Sequence, residues 1–143
     1  MNKSTLFSIL VIFIIWGCEV TPSEINYGTD SCHFCKMTIV DQSYAAQVVT
    51  NKGRAYKYDA IECMVQSLPQ WNPEDLKFIL VTDLTHPKKL IDATDAHYLI
   101  SESLPSPMGA NLSGFENEQD RNQYLVGASD RALNWEQLKA AQF

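Results

Sequence analysis

Residues 30–41, DSCHFCKMTIVD, hold Cys32 and Cys35 with two residues between them, His33 inside the pair and Met37 close behind. Such a cluster could be a reversible dithiol, half of a zinc site, a disulfide staple or a soft-metal site. More sulfur lies further on, with Cys63 next to Met64 and Met108 inside PSPMGAN. A thioredoxin-type C-x-x-C follows a buried strand and opens a helix, whose N-terminus acidifies the exposed cysteine. Here INYGTDS precedes the pair with little apolar content, and MTIVD after it reads as extended. Structural zinc commonly takes four cysteine or histidine ligands in two pairs. No second C-x-x-C or H-x-x-x-H exists, so Cys63, His33, His86 and His97 could complete a zinc site only by tertiary proximity. Cu(I) favours polarizable thiolates and thioethers, and a thioether, unlike a thiol, binds without first losing a proton.

Packing readings stand beside the metal reading. Met64 shares helical spacing with Ile61 and Leu68, which suits a core side chain. Cys63 suits a small buried hydrophobe, Met37 could simply pack, and His33 reads as a neighbour of the cluster. His86 and His97 read as surface residues. Met108 has less packing reason, because Pro105, Pro107 and Gly109 argue against a helix or strand interior around it.

The elements that must position these residues follow from periodicity and turn chemistry. β-branched residues 38–40 and YAAQVV read as extended, NKG as a turn, and RAYKYD as a hairpin partner. DAIECMVQSL reads as a helix capped by Asp59 and ended by Pro69, and LKFILVTDL as a buried strand. In the second half, KKLIDATDAHYLI is strand-rich and GANLSGFE suits a short strand. NEQDRNQYLVGA reads as a helix from an Asn117 cap to a Gly127 stop, and ALNWEQLKAA as a strand-to-helix segment. In each half an extended segment, YKYD or SGFE, runs into a helix. The expected fold is therefore α+β, with two small related β-β-α-β units, residues 31–85 and 86–143, forming one compact body.

The N-terminus sets the compartment. Lys3 precedes an apolar run over residues 6–16, broken only by Ser8 and followed by Gly17 and Cys18. That order matches a secretory signal, and the run is shorter than the roughly 18 residues of a membrane span. Residues 15–18 resemble a bacterial lipobox, in which Cys18 would carry lipid and become the new N-terminus. Residues 1–17 are then the signal, and residues 18–30, with Pro22 and Gly28, a lipid-anchored spacer. The remaining 126 residues suit one domain, and loss of Lys3 takes the formal charge from −6 to −7. That acidity argues against nucleic acid and leaves Cys18 as the membrane link. With Cys18 lipidated, three cysteines remain, and an odd number cannot all pair within the chain. An unpaired thiol in an oxidising space needs a use, and metal binding is one. No Ser-His-Asp set or paired-carboxylate motif points to an enzyme.

With these residues in view, the chain resembles the NosL family of copper-binding lipoproteins. The matching features, in order, are Cys18, DSCHFCKMTIVDQSYAAQVV, YKYDAIECM and SPMGANLSGFE, which together span nearly the whole mature chain. The resemblance implies paired β-β-α-β units and a metallochaperone that delivers Cu(I) for assembly of the copper centres of nitrous-oxide reductase. It also implies work with an ABC-transporter assembly complex, outside the cytoplasmic membrane and on the periplasmic side. Carried over by position, a Cys-Gly-Met element falls on Cys35, Lys36 and Met37, a cysteine-methionine pair on Cys63 and Met64, and a Met-Gly loop on Met108 and Gly109. Cys35, Met37 and Met108 are thus the expected copper contacts, with Cys63, Cys32 and Met64 as further candidates. Lys36 departs from the family glycine, which matters if that position needs φ > 0. The expected site has few ligands and partial exposure. The competing readings are a zinc-stabilised binding module and a membrane-tethered thiol oxidoreductase.

Overall fold

The computed structural model describes residues 19–143; the signal and lipidation readings on residues 1–18 lie outside them. β1 (Ala46–Thr50) is buried along nearly its whole length. It lies between β2 (Ala55–Tyr58) and β3 (Leu76–Thr82), antiparallel to both. β4 (Leu90–Asp92) pairs with β3 and carries the first sheet beyond residue 85, giving the order β2-β1-β3-β4. Helix α1 (Ile61–Ser67) connects β2 to β3 through two short 3-10 turns. The second sheet repeats the plan. β5 (His97–Ile100) is flanked by β6 (Leu112–Phe115) and β7 (Arg131–Leu133), with α2 (Glu118–Gln123) between β6 and β7. α3 (Trp135–Ala140) closes the chain. In both halves the first strand lies between the second strand and the strand after the helix, so the expected pair of related β-β-α-β units is present.

The two sheets share α1, which packs on β1, β2 and β6. At the seam, Asp83 bridges to Gly114, whose carbonyl accepts from Leu84 N–H at 2.8 Å. Helices below roughly 12–15 residues are marginal alone, and α1 has only 7. It is held by burial of Ile61, Met64 and Val65, each worth on the order of 1.5–3 kcal/mol. Asp59 does not cap it; the cap position is Ala60 and no side chain closes the turn. Asn117 does cap α2, accepting from Asp120 N–H at 2.9 Å. That helix stops at Gln123, short of Gly127, because Asp130 takes the N–H groups of Val126 and Gly127 into a turn of its own.

The segment expected as a spacer is docked from Ser23 onward. Gln47 is fully buried in the middle of β1, where an unpaired amide would be costly. It accepts from Ser23 N–H at 2.8 Å and donates to the Ser23 carbonyl at 2.7 Å. Ile25 then joins the core.

Candidate metal centre

Cys32 and Cys35 sit on a tight loop ahead of β1. Ser31 bridges to Thr38, Cys32 N–H donates to the Met37 carbonyl at 2.8 Å, and Lys36 N–H donates to the Cys32 carbonyl at 3.0 Å. To close this loop Lys36 adopts φ 67°, the left-handed conformation that glycine takes most easily. Its ammonium donates to the His33 carbonyl. The loop is tied down on β2, where His33 N–H donates to the Lys57 carbonyl at 2.7 Å and Lys57 pairs with Asp30 at 2.6 Å. No helix opens at this C-x-x-C, so the geometry that activates a thioredoxin-type cysteine is missing here.

The third thiol arrives from α1. Cys63 follows β2 by five residues, and its sulfur, with those of Cys32 and Cys35, forms a group whose atoms all lie within 4.8 Å of one another. A metal held at about 2.3 Å from three sulfurs would set them roughly 4 Å apart, so little movement is needed to close on one ion. All three are free thiols. Among the described residues the group stops at three, one ligand short of a closed structural zinc site. Cys32 and Cys63 are buried, while Cys35 is half-buried.

The environment is built for a thiolate. The neighbouring Cys63 thiol, the Cys35 N–H that donates to the Cys32 sulfur at 3.5 Å, and the nearby N–H groups of Asp59 and Phe34 hold Cys32 well below the ordinary thiol range despite its burial. Cys63, set against the Cys32 sulfur and buried beside its charge, is pushed up. Cys35 is raised by burial, with Met37 N–H opposing. Cys32 is therefore the first of the three to ionise. His33 packs by its ring, 4.7 Å from Tyr56 and 6.0 Å from both Tyr58 and Trp71. Burial, followed by the Lys36 charge, lowers its pKa and favours the neutral ring.

The methionines fall into two sorts. Met64 is fully buried in the core, whereas Met37 is 52% and Met108 40% exposed. Met37 lines an open groove of about 670 Å³ with Val40, Asp59, Pro105, Ser106 and Pro107. Met108, just past Pro107, lines a second groove with Glu62, Gln66 and Phe143. The loop at residues 105–110 thus borders both grooves, and the structure places the two exposed thioethers in different ones. His86 is exposed and paired through Nδ1 with Asp83 at 2.8 Å, away from the thiols in sequence and element.

One participant was not legible in the sequence. Glu62, 1% exposed, reaches from α1 to the Met108 loop. No periodicity marks a buried carboxylate; its only outward hint is its position beside Cys63.

The chain that builds this three-thiol group matches the NosL family model over residues 22–143. The chain belongs to the NosL family. The copper-binding lipoprotein NosL of Stutzerimonas stutzeri is 30% identical over 160 residues, an alignment covering 99% of this chain and 82% of that protein. In fold, this NosL-family chain is similar to the crystal structure of the copper chaperone NosL from Shewanella denitrificans. That match has a TM-score of 0.70 at 17% identity, covering 82% of this chain and 95% of the other.

Proposed function

We propose that this chain is an extracytoplasmic Cu(I) chaperone, anchored to a bacterial membrane through lipid on Cys18, which delivers copper for assembly of the copper centres of nitrous-oxide reductase. The observation that carries this reading is the convergence of three free thiols within 4.8 Å, one of them half-exposed. Copper is cargo here, not a resident cofactor. Cys32, Cys35 and Cys63 form the inner holding site, with Cys35 outermost. Met37 and Met108 supply thioethers on the solvent side, where cargo loads and leaves. Met64 stays in the core.

The chemistry follows from hardness and exposure. Thiolates and thioethers are soft donors that suit Cu(I), and backbone N–H groups aimed at Cys32 stabilise its charge before any ion arrives. An exposed edge lets an acceptor's ligand attack before the last chaperone ligand lets go. The names of the relatives support copper as the metal. Delivery to nitrous-oxide reductase, with an ABC-transporter complex as co-worker, rests on family membership. The chain acts as a carrier and not as an enzyme.

The test is X-ray absorption on the anaerobically Cu(I)-loaded chain, compared with Cys35→Ser, Met37→Leu and Met108→Leu, followed by transfer to copper-free nitrous-oxide reductase. The expected result is an all-sulfur shell that Cys35→Ser dismantles and each methionine change thins, with transfer slowed in parallel. A shell of nitrogen and oxygen neighbours, or full transfer by Cys35→Ser, would sink the reading.

A further inference from the structure

The turn that carries Met108 is shaped within itself. Gly109 N–H donates to the Ser106 carbonyl at 3.0 Å, and Asn111 N–H to Ser106 Oγ at 2.9 Å. Two positive φ angles, 83° at Gly109 and 57° at Asn111, close it. What fixes this preformed turn to the thiol-bearing helix is Glu62. Its Oε1 accepts from Ser106 Oγ and, at 3.3 Å, from Ala110 N–H, so it grips the turn on both sides of Met108.

As a stability device this is a poor choice. Glu62 is 1% exposed, and its Oε2 is buried without a hydrogen-bond partner in the structure. A buried unsatisfied polar atom costs about 1–3 kcal/mol, and more when charged. An apolar residue against an apolar loop would avoid that cost. Glu62 is also bonded directly to Cys63, so one residue ties the third thiol of the inner site to the loop of the exposed thioether. We propose that Glu62 is a positioning residue that sets the Met108 thioether in register with the thiol cluster. The inference rests on Met108 being a copper ligand, as read above.

The experiment is a thermodynamic cycle on the full-length reduced chain in detergent, using anaerobic Cu(I) competition against a chromophoric chelator, with sulfur neighbours counted by X-ray absorption. Met108→Leu is expected to weaken binding about tenfold, equivalent to about 1.4 kcal/mol. Glu62→Ala should weaken it by a similar factor and lose the same sulfur neighbour. It should add nothing further in the Met108→Leu background, as expected for residues acting as one unit. Glu62→Gln keeps the oxygen that accepts both bonds and should stay within about threefold of wild type. If Glu62→Ala fails to fold, Ser106→Ala, which removes the hydroxyl donor, takes its place in the cycle. Unchanged affinity in Met108→Leu would remove the ligand reading, and the proposal with it. Weakened binding in Met108→Leu with full affinity in Glu62→Ala would overturn the proposal alone, as would additive losses in the double variant.

Discussion

Lys36 offers the sharpest test of the site loop, because its backbone sits at φ 67°, in the left-handed region that glycine adopts most easily. A non-glycine residue in the left-handed region carries roughly 1–2 kcal/mol of steric strain. Glycine would relieve that strain but add about 0.5–1 kcal/mol of unfolded-state entropy, and it would lose the exposed ammonium bond to His33, worth about 0.5 kcal/mol. These effects nearly cancel, so Lys36→Gly should leave stability within about 1 kcal/mol of wild type and change Cu(I) affinity only modestly. Lys36→Val is the contrasting probe, since a β-branched residue is an outlier at positive φ. We expect it to fall about 2 kcal/mol below the glycine variant. If that strain is confined to the loop, it depletes the binding-competent form and lowers affinity by up to about thirtyfold. The assay is urea unfolding of the reduced metal-free chain alongside anaerobic Cu(I) competition. Equal stability for valine and glycine, or abolished binding in Lys36→Gly, would refute the backbone account.

The ligand set can be counted by protons. Cys35 and Cys63 are raised and so protonated at neutral pH, whereas Cys32 is lowered and already ionised. Metal binding must displace the bound protons, so log affinity should climb with pH, with a slope near two over about pH 6 to 8. A slope near one would mean that only one of the two raised thiols binds, with thioethers completing the site; a flat profile would exclude both. Gly114→Ala should cost about 1–3 kcal/mol in chemical denaturation, because the added Cβ would lie 3.2 Å from Ile61 Cδ1, the Thr82 carbonyl oxygen and Val81 Cγ2 at the seam between the sheets. A neutral effect there would mean that the seam is loose. Gln47→Ala removes both bonds to Ser23 and should cost about 1–3 kcal/mol while exposing residues 19–25 to limited proteolysis. Unchanged cleavage would show that the segment is held without Gln47.

The repeated β-β-α-β plan was legible because its signals are local: a turn at NKG, alternation in RAYKY, a cap at Asn117. Asp59 misled because cap preference is judged one residue at a time, while the start of α1 is set by where Ile61 reaches the core. In the site, the Cys32 and Cys35 loop was readable from spacing. The approach of Cys63 was not, since it depends on how α1 lies across two sheets. Helical periodicity placed Met64 correctly in the core but said nothing of Glu62, whose partners lie 44 and 48 residues away. The left-handed turn at Lys36 is invisible to any residue preference, because lysine is not the residue such a turn selects.

The docking of Ser23 against Gln47 reaches beyond the fold. If Cys18 carries lipid, as proposed above, the tether ahead of Ser23 would be residues 19–22, spanning at most roughly 17 Å when fully extended. A leash that short would keep the domain skimming the bilayer, with little freedom to tumble. Its search for an acceptor would then become lateral diffusion in two dimensions, and a membrane-bound acceptor would meet it at nearly constant height.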